Sequence, residues 1–280
     1  MKRFVINGSP AIILMVIISI AGSSCQKSFD PNSYEPEQVF NGYSASSQVS
    51  ASNLVAYWSF DDNLTDSVSN TSGTNNGTSF TAGIKGKAMQ GALNSYVLFP
   101  NTSQIKSVES FTLAYWVKTT PNLTGIQTTV DFVNPTGFWG NFDNFFDGQS
   151  DAGSTYKFHL MGSAGAQEAW LDQFKLTTWG TWLNIGLTYS KDSSTFTWYL
   201  NGVQQGSSVK AGFGTPDLIL SPSIVFGTVQ FMTVPNSTTG TDPQPWASYL
   251  TGALDEVRMY SKALTAADMN ALYQLQNLGR

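Results

Sequence analysis

The 280-residue sequence contains a single cysteine, Cys25, and a single histidine, His159. One cysteine excludes an intrachain disulfide, so the core must stabilise the folded state. One histidine excludes a multi-histidine metal site of the kind that binds catalytic zinc. Charged residues make up 12% of the chain, about half of the usual share, and the net charge is -5. This negative balance argues against nucleic acid or an anionic lipid surface as a partner.

Glutamate is scarce as well, and its placement argues against an enzyme. The five glutamates are Glu35, Glu37, Glu109, Glu168 and Glu256. A retaining glycosidase needs two carboxyl groups about 5–5.5 Å apart on one face. Glu168 and Asp172 are four positions apart, which separates them along a strand, and no G-x-S-x-G motif supports a triad with His159. We therefore predict that the protein is not an enzyme.

The first 52 residues have the composition of a targeting signal followed by a linker. Lys2 and Arg3 precede an apolar run, and the small residues AGSS lead to Cys25. This segment is similar to a bacterial lipoprotein signal peptide, with residues 1–24 removed and Cys25 lipidated. An ordinary secretory signal that leaves a free thiol is the alternative. Residues 25–52, rich in Ser, Asn, Gln and Pro, are expected to form a flexible tether.

Residues 53–280 form the predicted domain, and short apolar segments indicate that it consists of strands. LVAYWSF (54–60) is apolar on both faces, and SFTLAYWVKT (110–119) alternates. Segments 181–190 and 195–206 flank the turn sequence KDSS and predict a hairpin. Strand follows strand, with one helix at the end. The pattern predicts an all-β sandwich or jelly roll.

The last predicted strand, ALDEVRMY, places a carboxylate among apolar groups. Strand alternation puts Asp255 on an apolar face, where it needs backbone N–H donors, a cation or a metal. Glu256 and Arg258 fall on the other face, which we expect to be solvated. The helix that follows is predicted to begin with a capping box formed by Thr265 and Asp268.

Oxygen-bearing side chains near that strand suggest a structural calcium site. The proposed ligands are Asp61, Asn63, Asp66 and Asp255, because calcium binds carboxylate and amide oxygens. The alternative is that the first three shape a turn and that Asp255 accepts loop N–H groups. The acidic segment Asp143–Asp151 is a second, weaker calcium candidate, since it lacks the EF-hand spacing.

A dense aromatic segment, predicted to be a loop over 136–151, is the candidate binding site. Aromatic faces hold sugars by stacking, with amides and carboxylates as hydrogen-bonding partners, and such a loop is also typical of a protein contact. The alternative is a loop that packs on itself over the sandwich. The ligand-binding candidates are Trp139, Phe142, Asn141, Asp143, Trp170 and Trp246.

Six segments, in order, carry a family resemblance: LVAYWSFDDNLTDSVSNTSGTNNGT, FTAGIKGKAMQG, SFTLAYWVKT, TWLNIGLTYS, FTWYLNGV and GALDEVRMYSKALTAADMNALY. Together they resemble laminin-G-like (LamG) domains of the concanavalin A-like lectin/glucanase superfamily. The resemblance implies a jelly-roll β-sandwich of two antiparallel sheets with a short C-terminal helix. It also implies that the first strand, 54–60, pairs with the strand that contains Asp255. Trp116 and Trp198 occupy core positions of this family and are interpreted as core residues, and the loop over 136–151 lies where the loops of the family vary.

The family's functions do not follow from its fold, since members bind glycans, proteins or steroids. With the signal at Cys25, and with CQKSFD similar to a Bacteroidota surface-export signal, the resemblance suggests an outer-membrane lipoprotein exposed at the cell surface. We expect its domain to capture glycan for nutrient uptake. The alternative is an accessory subunit that docks, without sugar, on a TonB-dependent transporter complex of the SusC/SusD type.

Overall fold

In the computed structural model, which describes Met1 and residues 38–280, most strands belong to two sheets of eight, numbered in chain order. The first sheet contains β1 (Leu54–Trp58), β5 (Ser79–Ala82), β6 (Lys87–Gln90), β8 (Phe111–Lys118), β13 (Leu183–Ser190), β14 (Thr195–Leu200), β15 (Val203–Val209) and β18 (Ala253–Tyr260). The second contains β4 (Thr74–Asn76), β7 (Tyr96–Pro100), β9 (Ile126–Phe132), β10 (Phe142–Ser150), β11 (Gly153–Gly162), β12 (Gln167–Leu176), β16 (Ser223–Phe226) and β17 (Ala247–Ser248). A separate ladder joins β2 (Thr65–Asp66) to β3 (Thr71–Ser72), and the helices are α1 (Ser103–Lys106) and α2 (Ala266–Asn277).

The two sheets pack face to face around one large hydrophobic cluster. Trp58 of β1 meets Phe99 and Phe226 of the opposite sheet edge-on, with ring centroids 5.5 and 5.0 Å apart. This geometry is favourable beyond the area it buries. Neighbouring strands run antiparallel, except that the two-residue β17 lies parallel to β9. The predicted all-β sandwich with a short C-terminal helix is confirmed.

Strand β8 shows why the first sheet needs a cover on both faces. Leu113 and Tyr115 point into the cluster between the sheets. Trp116 points the other way, where its ring stacks on Tyr273 of α2 at 5.3 Å and its Nε1 donates to Gln276 at 2.8 Å. Helix α2 therefore buries the outer side of this strand, as the interpretation of Trp116 as a core residue requires.

Strand β18 pairs with β1, as predicted, with Trp58 opposite Val257. The expected strict alternation along β18 is wrong. A bulge between Asp255 and Arg258 shifts the register, and Glu256 adopts a φ of +51°. One extra residue exchanges the faces beyond it, so Leu254 and Val257 both point into the core between the sheets.

The solvated face predicted for Glu256 and Arg258 is also wrong. Both residues are buried, and they form an ion pair at 2.8 Å. Arg258 lies over the ring of Tyr57 at 4.3 Å, and Gln276 of α2 donates to Glu256 at 2.9 Å. Burial of two charges is tolerated because each is paired and hydrogen-bonded. We call this group the ion-pair cluster: Ser46, Tyr57, Glu256, Arg258 and Gln276.

Residues 38–52 belong to the folded domain, so the predicted boundary at residue 53 is too late. Single 3₁₀ turns occupy Ser46–Gln48 and Ala51–Asn53. Val49 is buried against α2 residues, and Arg258 donates to the Ser46 carbonyl at 2.8 Å. A segment that fills an apolar site and binds a buried cation is not a tether. The predicted signal peptide (1–24), the lipidation site Cys25 and residues 25–37 of the tether lie outside the described residues.

The C-terminal helix begins as the sequence predicts. Thr265 is the N-cap of α2 and accepts from the backbone N–H of Asp268 at 3.1 Å, and the capping box is complete. Leu264 and Met269 flank this start and are buried together. Within residues 38–280, none of the helices combines the length and the hydrophobicity that a bilayer span requires.

Candidate functional site

Two long connections cross the outer face of the second sheet. Residues 133–141 link β9 to β10, and residues 227–252 link β16 to β18. The buried side chain of Gln230 joins them, since its Oε1 accepts from Asn134 N at 2.6 Å and its Nε2 donates to the Gly137 carbonyl at 2.9 Å. These bonds satisfy backbone groups that buried loops otherwise leave unpaired. We call the two connections the cap.

Six aromatic side chains converge where the cap meets β10 and β12. Trp139 stacks on Phe145 with centroids 5.3 Å apart and planes at 3°, and it meets Trp170 at 5.4 Å and Trp246 at 5.7 Å. Phe138 stacks on Trp246 at 6.1 Å. We call this set the aromatic patch: Phe138, Trp139, Phe145, Trp170, Phe231 and Trp246.

The aromatic patch has a buried base and an exposed rim. Phe145 and Phe231 are buried, whereas Phe138 is 40% exposed and Trp246 is 39% exposed. Trp139 and Trp170 lie half-buried between them. Exposed aromatic rings that are held by a packed base are expensive to leave in water and are typical of a contact surface.

A row of polar side chains runs across the sheet beneath the patch. Asp131 of β9, Asp143 of β10 and His159 of β11 are cross-strand partners, and Trp170 of β12 lies opposite His159. His159 Nδ1 lies 2.7 Å from Asp143, and its Nε2 lies 2.9 Å from Glu168. We call Asp131, Asp143, His159 and Glu168 the polar row. It is buried at Asp131 and reaches the surface at Glu168, whose side chain is 50% exposed.

The outer end of the polar row fixes one ring of the patch. Trp170 Nε1 donates to Glu168 Oε1 at 3.0 Å, and the Trp170 ring packs on His159 with centroids 4.3 Å apart. Rotation of the indole would break this hydrogen bond and the packing together. The polar row therefore holds Trp170 in the orientation that completes the patch.

The inner end of the polar row brings two carboxyl groups together. A Cβ on Gly140 would lie 2.6 Å from Asp131 Oδ1 and 3.0 Å from Asp143 Oδ1, so both oxygens border one small space. Asp131 Oδ2 accepts from Gln230 N at 2.7 Å, whereas Oδ1 has no hydrogen-bond partner. Burial and the neighbouring Asp143 carboxylate raise the pKa of Asp131 well above its usual value. A protonated Asp131 relieves the repulsion between the two groups.

The structure separates the predicted ligand-binding residues into two groups. It brings Trp139, Trp170 and Trp246 together in the patch. Phe142, in contrast, lies in the core between the sheets, and Asn141 and Asp143 are buried and bonded within the protein. The last three were selected because 136–151 was predicted to be a loop. Residues Phe142–Ser150 are instead strand β10, which directs Phe142 into the core and Asp143 to the outer face beneath the cap.

The predicted calcium ligands do not form a shared set. Asp255 accepts from the backbone N–H groups of residues 84, 85 and 256, and Asp61 accepts from that of Lys87 at 2.7 Å. Asp66 accepts from Tyr57 N at 2.8 Å, and Asn63 shapes its own turn. In the described part of the chain, no group of three or more His, Cys, Asp or Glu side chains is arranged to hold a metal ion. Calcium at these residues stays a prediction.

Burial gives Asp255 an unusual environment even without a cation. Burial, with the adjacent Glu256 charge, raises the pKa of Asp255 to about 8, and the three N–H donors oppose that rise. The structure thus shows the loop N–H donors that were named as the alternative to calcium.

Sequence reasoning missed two parts of the site. Phe231 joins the patch from the cap, a segment with no strand or helix period. The second part is the pair of hydrogen-bonding partners of His159, since Asp143 and Glu168 come from two other strands. No local pattern encodes such partners, because they depend on sheet register. Glu168 bonds His159 and Trp170, and Asp172 lies exposed further along the same strand.

Residues 90–270 match a family model, Laminin_G_3, described as concanavalin A-like lectin/glucanases superfamily. No curated protein gives a significant match to the chain.

Solved structures share the fold at low identity. Domain 4 of AbnA, a GH43 extracellular arabinanase from Geobacillus stearothermophilus, in complex with arabinotriose, has a TM-score of 0.55 and 22% identity, with 79% of this chain and 98% of that chain covered. The binding domain of Paraclostridial Mosquitocidal Protein 1 has a TM-score of 0.58 and 17% identity, with 81% and 52% covered. The binding domain of Botulinum Neurotoxin DC in complex with SialylT has a TM-score of 0.57 and 13% identity, with 82% and 52% covered. The chain thus spans about half the length of these toxin domains.

Proposed function

Because the chain belongs to the Laminin_G_3 family of the concanavalin A-like lectin/glucanase superfamily, we propose that its domain is a non-catalytic module that binds a glycan. The aromatic patch carries this proposal. Its rim offers the rings of Phe138, Trp139, Trp170 and Trp246, and sugars present apolar C–H faces that stack on such rings. Domain 4 of the arabinanase, which shares this fold, was solved with arabinotriose.

The placement of the carboxyl groups supports a module without catalytic activity. A glycosidase needs an acid and a second carboxylate that both reach the substrate. Asp131 and Asp143 are adjacent, but both are fully buried beneath the cap. Glu168 reaches the surface, yet one of its oxygens is bonded to His159 and Trp170. A substrate on the patch would therefore contact one carboxylate of the polar row, Glu168, whose Oε1 is already hydrogen-bonded. The other two carboxyl groups of the row are out of its reach.

We place this domain, as part of the proposal, on a lipid anchor at Cys25 in the outer membrane, facing outward. The signal-like sequence before Cys25 supports the anchor. Glycan bound at the patch would then be passed to an uptake system in the same membrane. Metabolic labelling with a fatty-acid analogue tests the anchor, and loss of label in Cys25→Ala is the expected result.

Isothermal titration against a glycan panel tests binding. Trp246→Ala removes a rim residue and is expected to weaken binding at least tenfold, the effect typical of an aromatic anchor. Trp182→Ala is the matched control, since Trp182 is a partly exposed indole but lies beside Lys118 of β8, in the other sheet. The proposal would be contradicted if Trp246→Ala and Trp182→Ala bound the glycan with equal affinity, or if the unchanged protein bound no glycan of the panel.

Docking on a transporter of the starch-utilisation type, without sugar, is the second candidate. The specific observation for it is Leu123, which is 76% exposed and lines the same pocket as Trp246. Neighbouring exposed apolar groups are typical of a protein contact site. Purification of the native protein from membranes separates the candidates. A transporter that is retained by the unchanged protein and lost in Leu123→Ser, with no glycan bound, would favour docking.

A further inference from the structure

A pocket of about 440 Å³ extends the aromatic patch beyond Trp246. Its lining includes Asn122, Leu123, Gly125, Asp147 and Trp246. Trp246 belongs to both surfaces, so a chain of several sugar units that stacks on the patch continues into this pocket. Its chemistry therefore bears on which glycans the site accepts.

The amide groups of the pocket are already used by the protein. Gln149 Oε1 accepts from Asn122 N at 2.9 Å and from Gln127 at 2.7 Å, and Gln149 Nε2 donates to the Gly125 carbonyl at 2.9 Å. Asn122 Nδ2 donates to Ser248 at 2.8 Å. These bonds hold the pocket in shape, and they use both N–H groups of Gln149 Nε2 and one of the two N–H groups of Asn122 Nδ2.

The charged side chains at the combined surface are negative. The residues of the patch and of the pocket include no Lys or Arg. Asp147 lines the pocket, and Glu168 borders Trp170. Lys157 forms an ion pair with Asp147 at 2.6 Å, so these two charges offset each other and Glu168 is the carboxylate of this surface with no Lys or Arg partner within residues 38–280.

Glu168 offers a free acceptor beside the patch. Its Oε1 accepts from Trp170 and contacts His159, whereas its Oε2 has no hydrogen-bond partner among the described residues and the side chain is 50% exposed. A carboxylate accepts hydrogen bonds and donates none. A ligand group that meets Oε2 must therefore be a donor such as a sugar hydroxyl, and a ligand carboxylate or sulfate is repelled there.

We propose that this surface selects neutral, hydroxyl-rich glycans and rejects glycans that carry carboxylate or sulfate groups. The inference rests on the proposed function, because it assigns a ligand class to the same site. Stacking on Trp246 and its neighbours supplies affinity, and the carboxylate of Glu168 supplies the discrimination. Exclusion of acidic sugars by charge weakens as salt screens it.

Titration of the full chain with matched pairs of oligosaccharides tests the proposal. The two members of a pair share one oligosaccharide backbone. One member is neutral, and the other carries a uronic acid or sialic acid residue. At low salt the neutral member is expected to bind at least tenfold more tightly. The ratio is expected to shrink in high salt and in Glu168→Gln, which keeps an acceptor for Trp170. Glu109→Gln is the control, since it makes the same change in net charge at an exposed residue paired with Lys191.

The outcomes separate this inference from the proposed function. If acidic members bind as tightly as neutral ones, or more tightly, the charge selection is wrong while glycan binding stands. An unchanged ratio in Glu168→Gln also contradicts it, because the discrimination then has another source. If no member of any pair binds, the glycan function fails and this inference fails with it. Melting curves confirm that each variant is folded.

Discussion

The two outer faces of the sandwich each bury charged side chains, but they arrange them differently. On the first sheet the ion-pair cluster joins one anion, Glu256, to one cation, Arg258, at 2.8 Å, and it is closed to solvent. On the second sheet the polar row contains three carboxyl groups and one imidazole, and it ends at the exposed Glu168. The first set is balanced and enclosed, whereas the second is acidic and open at one end.

This difference assigns the two faces different roles. The ion-pair cluster ties residues 38–52, β1, β18 and α2 together, so its contacts stabilise the domain. The polar row touches the aromatic patch through Trp170 and gives that surface its negative charge. Substitutions in the cluster are therefore expected to change the free energy of unfolding, and substitutions at the open end of the row are expected to change binding.

The largest expected effect follows from removing the cation of the cluster. Arg258→Met leaves Glu256 buried without its partner and is expected to lower the free energy of unfolding by about 3–5 kcal/mol. Urea denaturation measures it. The double variant Glu256→Gln/Arg258→Met is the control, and it should recover part of the loss because no unpaired charge remains. A loss below about 1 kcal/mol in Arg258→Met would show that the pair is not holding this face together.

A truncation tests the same face with a slightly smaller effect. A chain that begins at residue 53 loses the buried Val49 and the Ser46 groups that bind Arg258, and we expect a loss of about 3 kcal/mol relative to a chain that begins at residue 38. Thermal and urea unfolding of the two chains, compared side by side, measure the difference. Equal stability would restore the boundary that the sequence predicted.

Local patterns in the sequence predicted the parts of the fold that local chemistry determines. The capping box at Thr265 and Asp268 and the turn at residues 191–194 depend on neighbours in the chain. The pairing of β1 with β18 came from the family resemblance. The bulge at Glu256 could not be predicted, because residues 253–260 contain no glycine or other local signal for a positive φ at that position. The polar row depends on sheet register, which joins Asp131 to His159 across 28 positions by way of Asp143.

The pH dependence of stability is the next smaller effect, and it isolates the buried end of the polar row. The pKa of Asp131 is raised in the folded state, so the native protein holds a proton that the unfolded chain has released. The stability that this proton contributes is complete below a pH of about 4, the pKa of an aspartate in the unfolded chain. It is lost as the pH rises through the higher pKa of Asp131 in the folded state. Asp131→Asn keeps an acceptor for Gln230 N and cannot ionise beside Asp143. Its stability should exceed that of the unchanged protein by about 1–2 kcal/mol at alkaline pH and should vary less with pH.

Urea unfolding at acid, neutral and alkaline pH measures how the free energy of unfolding changes with pH, and we call this change the slope. Asp172→Asn is the control, since Asp172 is exposed on β12 and should leave the slope unchanged. Asp255, whose pKa is raised to about 8, ionises over part of the same range and remains in both variants. The slope of Asp131→Asn should therefore be reduced rather than abolished. A slope equal to that of the unchanged protein would mean that Asp131 is already ionised in the folded state.

Removal of calcium is expected to have the smallest effect. Asp255 has three backbone N–H donors, and Asp61 and Asp66 have donors of their own, so these carboxylates are satisfied without a cation. We therefore expect the same Tm in EDTA and in calcium chloride. A ligand that binds only the native state must raise Tm with its concentration. A Tm that rises by several degrees in calcium chloride, with no such rise in Asp61→Asn, would instead establish the predicted site. The calcium ion would then replace the backbone N–H donors at these carboxylates.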